Sequence, residues 1–207
     1  MLDRWMLARL AGPVDRLARA LVRCGVSADA VTLAGAAVGL AGSAVLAAGG
    51  SAGMALALMA LGRLADGLDG AVARHTATTP RGAFLDIALD FLFYASVPLA
   101  FALRDPTANA LAAAVLLAAF IGTGSTFLAY AIQAERLGLR STRYPHKGFH
   151  YLGGLTEGTE TLACFAAMCL WPSAFAVLAW GFAGLCLITI VTRLAAGWAL
   201  PSSGAPR

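Results

Sequence analysis

Four aspartates, Asp66, Asp69, Asp86 and Asp90, lie within or beside strongly apolar stretches of this 207-residue chain. An aspartate at the centre of a bilayer costs about 2.5–3.5 kcal/mol on insertion scales, so four in such surroundings need a chemical reason. Their spacing supplies one. On an α-helix, residues three apart are separated by roughly 60° around the axis and residues four apart by roughly 40°. Asp66 with Asp69, and Asp86 with Asp90, therefore each present two carboxylates on one helix face. The polar turn around His75–Arg81 lets the two helices run antiparallel and bring the pairs together. Hard oxygen donors around a cavity suit Mg²⁺ or Mn²⁺, which take carboxylate, water and phosphate oxygen. No neighbouring Cys or His argues for a softer metal, and His75 is expected to be a solvated loop residue. Salt bridges to Arg63, Arg74 or Arg81, or a place at a helix end, would explain any one of these acids. They do not explain the matched spacing.

The residues between the pairs suit phosphate. Gly70 and Gly82 remove side chains where backbone must approach a ligand or a second helix. Ala73 is small, and the Arg74 guanidinium offers a fork matched to phosphate oxygens. Small residues also serve helix packing in membranes, so each alone has a structural alternative.

The elements that must hold these residues are membrane helices. Hydrophobic residues make up 59% of the chain and charged ones 13%, about half the share of a soluble domain. A soluble core of that apolarity would leave large exposed patches that a bilayer accepts. Cys24, Cys164, Cys169 and Cys186 lack CxxC spacing and read as small apolar residues rather than zinc ligands or a disulfide framework. The net charge of +4 is spread over membrane-flanking arginines, which fits anionic lipid and not nucleic acid.

Residues 1–27 read as an amphipathic helix lying in the membrane interface, with no cleavable signal. Leu7, Leu10, Val14, Leu17 and Leu21 form one face and Arg9, Arg16 and Arg23 the other, with Gly12-Pro13 the place where the helix would break. Apolar length then predicts six spans across 28–200: about 30–48, 52–74, 82–103, 107–133, 156–170 and 173–198, with 201–207 a polar tail. Gly49-Gly50-Ser51, Arg104-Asp105-Pro106 and Trp171-Pro172 are the connections on one side, and they hold only Arg104. The other side holds Arg4 to Arg23, Arg74, Arg81, Arg136 to Lys147 and Arg207. By the positive-inside rule both termini are cytoplasmic, which requires an even number of spans. The expected fold is an all-α, single-domain, six-helix membrane bundle over residues 1–207, without internal repeats.

The string Asp66-x-x-Asp69-Gly70-x-x-Ala73-Arg74, seven residues, then Gly82-x-x-x-Asp86-x-x-x-Asp90 resembles the signature of the CDP-alcohol phosphotransferase (phosphatidyltransferase) family at every fixed position. The resemblance implies two divalent cations, Mg²⁺ or Mn²⁺, held by Asp66, Asp69 and Asp86. Asp90 would be the general base and would also touch the second metal. Gly70, Arg74 and Gly82 would contact the CDP moiety. The family also tends to carry Asn or Pro, two residues, then Thr ahead of the first span. Here the stretch is Asp29-Ala30-Val31-Thr32, so Thr32 fits and Asp29 departs. Thr79 is the candidate for a hydroxyl used before the second glycine. A homodimer is implied by the resemblance alone.

The implied reaction is attack of an acceptor hydroxyl on the phosphorus farther from cytidine, with CMP leaving. With CDP-diacylglycerol as donor, the acyl chains stay among membrane lipids while the headgroup enters from the cytoplasm. The run Lys147-Gly-Phe-His-Tyr-Leu-Gly-Gly-Leu-Thr-Glu-Gly-Thr-Glu-Thr161 resembles one in a bacterial inner-membrane branch, without naming the small alcohol acceptor. Arg136, Arg140, Arg143, His146, Lys147 and His150 read either as topology markers or as a basic pocket for a phosphorylated acceptor. Arg193, inside the last apolar run, either reaches the cytoplasmic surface or lines the cavity. Glu157 and Glu160 share a face at the start of the fifth span, with Thr156 as the expected cap, and read as helix-start acids or acceptor contacts. Two other readings of the acids are an aspartate-rich membrane prenyltransferase and a small cation carrier. Neither explains Gly70, Arg74 and Gly82 together.

Overall fold

The computed structural model describes residues 2–138 and 155–200, with side chains from Gly12 onward. Among the described residues every regular element is helical. They run α1 (Leu2–Arg23), α2 (Ala28–Ala47), α3 (Ala52–His75), α4 (Pro80–Arg104), α5 (Pro106–Arg136), α6 (Gly158–Leu170), a 3₁₀ turn (Pro172–Ala174) and α7 (Phe175–Trp198).

Local chemistry sets the boundaries. Ser27, Ser51 and Thr79 cap α2, α3 and α4, accepting from the backbone N–H of Ala30, Met54 and Gly82 at 3.2, 3.4 and 3.0 Å. Pro80 occupies the first turn of α4, where a missing N–H costs nothing. Gly49, at φ +79°, supplies the left-handed residue that turns α2 into α3.

Among the described residues four helices are long and apolar enough to cross a membrane: Ala28–Ala47, Pro80–Arg104, Pro106–Arg136 and Pro172–Trp198. The other two expected spans differ for physical reasons. At 24 residues α3 is long enough, but Arg63, Asp66 and Asp69 interrupt its apolar run. α6 is apolar, but its 13 residues reach only about 20 Å at the usual rise.

The described chain forms two compact units, Met1–Ala110 with Cys169–Pro172, and Leu111–Met168 with Ser173–Arg207. In the first, Phe93, Val97, Phe101, Leu46 and Val72 are buried. α2 and α3 pack almost backbone to backbone. A Cβ on Gly62 would lie 2.8 Å from the Gly35 carbonyl and 2.9 Å from Gly39 Cα. In the second unit Phe120 packs edge-on against Phe165 and Phe182, with centroids 6.0 and 6.2 Å away. Large apolar side chains such as Leu64, Phe84, Leu111, Ile121, Val177 and Trp198 point outward, as lipid-facing residues do.

One expectation for α1 is corrected. The helix continues through Pro13 without a break. A proline removes one internal hydrogen bond, and packing of the following turns offsets that loss. Ala18 is buried with Val31, Ala71 and Val72, and Val14, Leu21 and Val22 pack around them. Ala18 is the fully buried residue of this turn, and Leu17 stays exposed, as a residue on the apolar face of an interfacial helix does.

Candidate metal centre

The close approach of α2 and α3 has a consequence one turn further along. Thr32 precedes Gly35 by three residues, and its buried hydroxyl donates to Asp69 Oδ2 while lying 3.0 Å from the Ala28 carbonyl. Asp69 is thereby oriented from the neighbouring helix. The short connection from His75 to Pro80 returns the chain antiparallel and sets Asp86 against this face. Asp66, Asp69 and Asp86 each offer a carboxylate oxygen, and these oxygens lie within 4.8 Å of one another. Burial is graded from Asp69, 8% exposed, through half-buried Asp66 to exposed Asp86. Three hard donors at this spacing, open on one side, fit a divalent cation that also keeps water or phosphate oxygen as ligands.

Asp90 lies one turn beyond Asp86 and outside this trio. Arg63 Nη1 donates to Asp90 Oδ1 and lies 3.7 Å from Asp66 Oδ2. Its guanidinium sits 4.4 Å from the centroid of the Phe93 ring.

The remaining sequence candidates have mixed surroundings. A Cβ on Gly70 would meet only Arg74 Nη1, at 3.8 Å, so protein packing does not demand glycine there. Arg74 is exposed on the same helix face. A Cβ on Gly82 would lie 3.2 Å from both Asp29 Oδ1 and Thr79 Oγ1. Thr79 itself is the α4 cap. Asp29, the departure from the family pattern, receives hydrogen bonds from Arg81, with Nε at 2.8 Å, and ties the start of α2 to the start of α4.

His75 is not simply solvated. It ends α3 and pairs with Asp15 of α1, which also binds Arg19 at 3.0 Å. The hydrogen bond from His75 holds the Asp15 carboxyl below its ordinary range. Nothing in the sequence pointed to this pair or to the Arg81–Asp29 pair, whereas the Asp90–Arg63 pair is one of the salt bridges it offered as an alternative.

In the second unit Arg193 is 7% exposed and does not reach out to the surface. Its Nη1 donates to the Thr123 carbonyl at 3.0 Å, and its guanidinium lies 5.4 Å from the Phe127 centroid. Thr156 is not the cap of α6. Its N–H and hydroxyl bond Thr189 Oγ1 at 3.3 and 3.0 Å, and Glu160 accepts from the Glu157 N–H at 3.2 Å. Arg140, Arg143, His146, Lys147 and His150 lie outside the described residues.

A helical membrane protein with a clustered triad of carboxylates is the class that this fold and site define. Residues 26–198 match the CDP-alcohol phosphatidyltransferase family, and the chain belongs to it. The chain is 48% identical over 198 residues to Inner membrane protein YnjF of Escherichia coli (strain K12), covering 96% of each. Its fold is similar to the crystal structure of Mycobacterium tuberculosis phosphatidylinositol phosphate synthase (PgsA1) with CDP-DAG bound, with a TM-score of 0.73 and 27% identity over 94% of this chain and 97% of that one. The structure of the same synthase in complex with manganese and citrate gives a TM-score of 0.72 at 27% identity, over 94% of this chain and 92% of that one. Family membership makes this chain a transferase of phospholipid synthesis and sets aside the prenyltransferase and carrier readings.

Proposed function

We propose that this protein transfers the phosphatidyl group of CDP-diacylglycerol to an acceptor hydroxyl and releases CMP, with two divalent cations, Mg²⁺ or Mn²⁺, at the aspartate site. The observation that carries this reading is the convergence of Asp66, Asp69 and Asp86 oxygens within 4.8 Å, on the spacing that the family signature requires. The PgsA1 structures with CDP-DAG and with manganese support the donor and the metal by similarity.

In this reading Asp66, Asp69 and Asp86 hold the cations, Asp90 also touches the second of them, and Thr32 fixes the Asp69 carboxylate for that task. Bound there, divalent cations neutralise the diphosphate and the charge that develops on the leaving oxygen. Arg74 and the bare backbone at Gly70 receive the CDP phosphates, with Thr32, Thr79 and Gly82 near the nucleotide. Asp90 accepts the proton of the acceptor hydroxyl as its oxygen bonds to the donor phosphorus and the bond to CMP breaks. An apolar cleft of about 280 Å³ lined by Leu21, Val26, Val31, Val38 and Leu61 suits an acyl chain of the donor.

The setting is a bacterial inner membrane, supported by the relative YnjF, with six spans, cytoplasmic termini, a cytoplasm-facing site and a homodimer. The acceptor is a small phosphorylated alcohol, for which Arg193 and the loop cations Arg140, Arg143 and Lys147 are the partners. Purified protein given CDP-diacylglycerol, Mn²⁺ and a panel of alcohols is expected to release CMP, with mass spectrometry of the lipid naming the acceptor. Arg193→Ala is expected to raise the acceptor KM with donor affinity unchanged, and Glu157→Gln to do little. A larger effect of Glu157→Gln would overturn the phosphorylated acceptor.

A further inference from the structure

Arg63 has no place in the family signature, yet it contacts the signature acids themselves. Its side chain is 12% exposed and lies within salt-bridge distance of two of the four acids. Stability does not account for it well. Its Nε is buried without a hydrogen-bond partner, a state that costs about 1–3 kcal/mol, and an apolar residue facing Phe93 would avoid it. What the arginine does provide is position. With Phe93 beneath its plane and Asp66 at 3.7 Å, the guanidinium has little freedom, and it takes one oxygen of Asp90. A carboxylate gripped at Oδ1 keeps Oδ2 as the oxygen that faces a substrate proton.

We propose that Arg63 is a positioning residue that clamps Asp90 by one oxygen and holds the other in line for the acceptor hydroxyl. The inference rests on the assignment of Asp90 as base. The clamp gives Asp90 an arginine partner from the same helix as Asp66 and Asp69.

The test is a double-mutant cycle on CMP release from CDP-diacylglycerol in detergent, with Mn²⁺ and a mixture of glycerol 3-phosphate, inositol 1-phosphate, serine and glycerol as acceptors. Arg63→Ala is expected to lower kcat about 100-fold, as loss of an aligned base does, with the donor KM within about threefold of wild type. In an Asp90→Asn background the same change should cost less than about threefold, because both act through one group. Mn²⁺ binding followed by electron paramagnetic resonance should keep its stoichiometry in Arg63→Ala, and guanidinium salts should restore part of its rate. Arg63→Lys, which keeps the charge without the fork, is expected to recover less than a tenth of wild-type kcat, and it carries the test if the alanine variant does not fold. Full activity in either Arg63 variant, equal losses in the two Asp90 backgrounds, or loss of Mn²⁺ overturns the clamp. Absence of CMP release from the wild type instead overturns the proposed function, and the inference with it.

Discussion

The surroundings of the four aspartates are not alike, and the differences separate their roles. Asp69 is gripped by Thr32, Asp66 and Asp86 share its oxygen cluster, and Asp90 is held by Arg63. Changing Asp66, Asp69 or Asp86 to Asn removes a charged donor, and each variant is expected to fall below about 1% of wild-type CMP release while still inserting. Activity that persists in EDTA would show that the cluster does not need its metal. Thr32→Val leaves the charges intact and removes only the orienting donor. Mn²⁺ affinity should then weaken about 10–100-fold, the usual effect of losing a partner of a metal ligand, as measured by titration. Asp90→Asn should cost about 10²–10⁴ in turnover, the range of general-base catalysis, with donor affinity reduced less than in Asp69→Asn. Equal losses of donor affinity would make Asp90 a ligand first. The acids themselves were legible in the sequence because periodicity reports which residues share a face. Arg63 was legible only as one of three arginines that could pair with them, and Asp29–Arg81 and Asp15–His75 were not legible, because they join residues 52 and 60 apart with no pattern linking them.

Helix packing decides whether these residues meet. The α2–α3 contact has no room for a side chain at Gly62, so Gly62→Ala must push the helices apart by their backbones. A loss of about 1–3 kcal/mol is expected from such overpacking, and the shift should also pull Thr32 from Asp69. Gly181 of α7 meets nothing within 4 Å, so Gly181→Ala is the matched control and should leave both melting temperature and activity near wild type. A Gly62→Ala protein with unchanged melting and Mn²⁺ affinity would mean that the close approach is not what sets the site. The tether of α1 by Asp15 and His75 makes a separate claim. The folded-state pKa of Asp15 is lowered, so its stabilisation is complete above the ordinary value of about 3.9 and is lost as pH falls through the folded value. The melting difference between wild type and Asp15→Asn should therefore be present at neutral pH and close as pH drops below about 4. Helix positions were foreseen to within a few residues, since long apolar runs and Gly, Pro and Ser punctuation are local signals. The continuity of α1 through Pro13 was not, because the packing that sustains it comes from α2 and α3.

For the whole molecule the open question is which helices cross. Length and composition single out α2, α4, α5 and α7, while the proposal needs α3 and α6 as well. Both schemes contain an even number of spans and put the two termini on one side, so a reporter after Arg207 does not separate them. Two other positions do. With six spans Asp105 follows three crossings and faces outward, whereas with four it follows two and faces the cytoplasm. Gly138 follows four crossings in the first scheme and three in the second, so its side reverses as well. The arginines favour six, since only that scheme keeps Arg136 on the side of Arg16 and Arg23. The chemistry agrees. Asp66 lies 14 residues beyond Ala52, about 21 Å along α3, within a hydrocarbon core about 30 Å thick. A crossing α3 therefore holds the acids below the cytoplasmic surface, at a depth where a CDP headgroup can enter while its acyl chains remain in lipid. An α3 that did not cross would leave the cluster with no reason to be flanked by exposed Leu61 and Leu64. Reporters at Asp105 and Gly138 are expected to score external and cytoplasmic respectively. The reverse at both positions would establish four spans and remove the membrane-embedded site from the proposal.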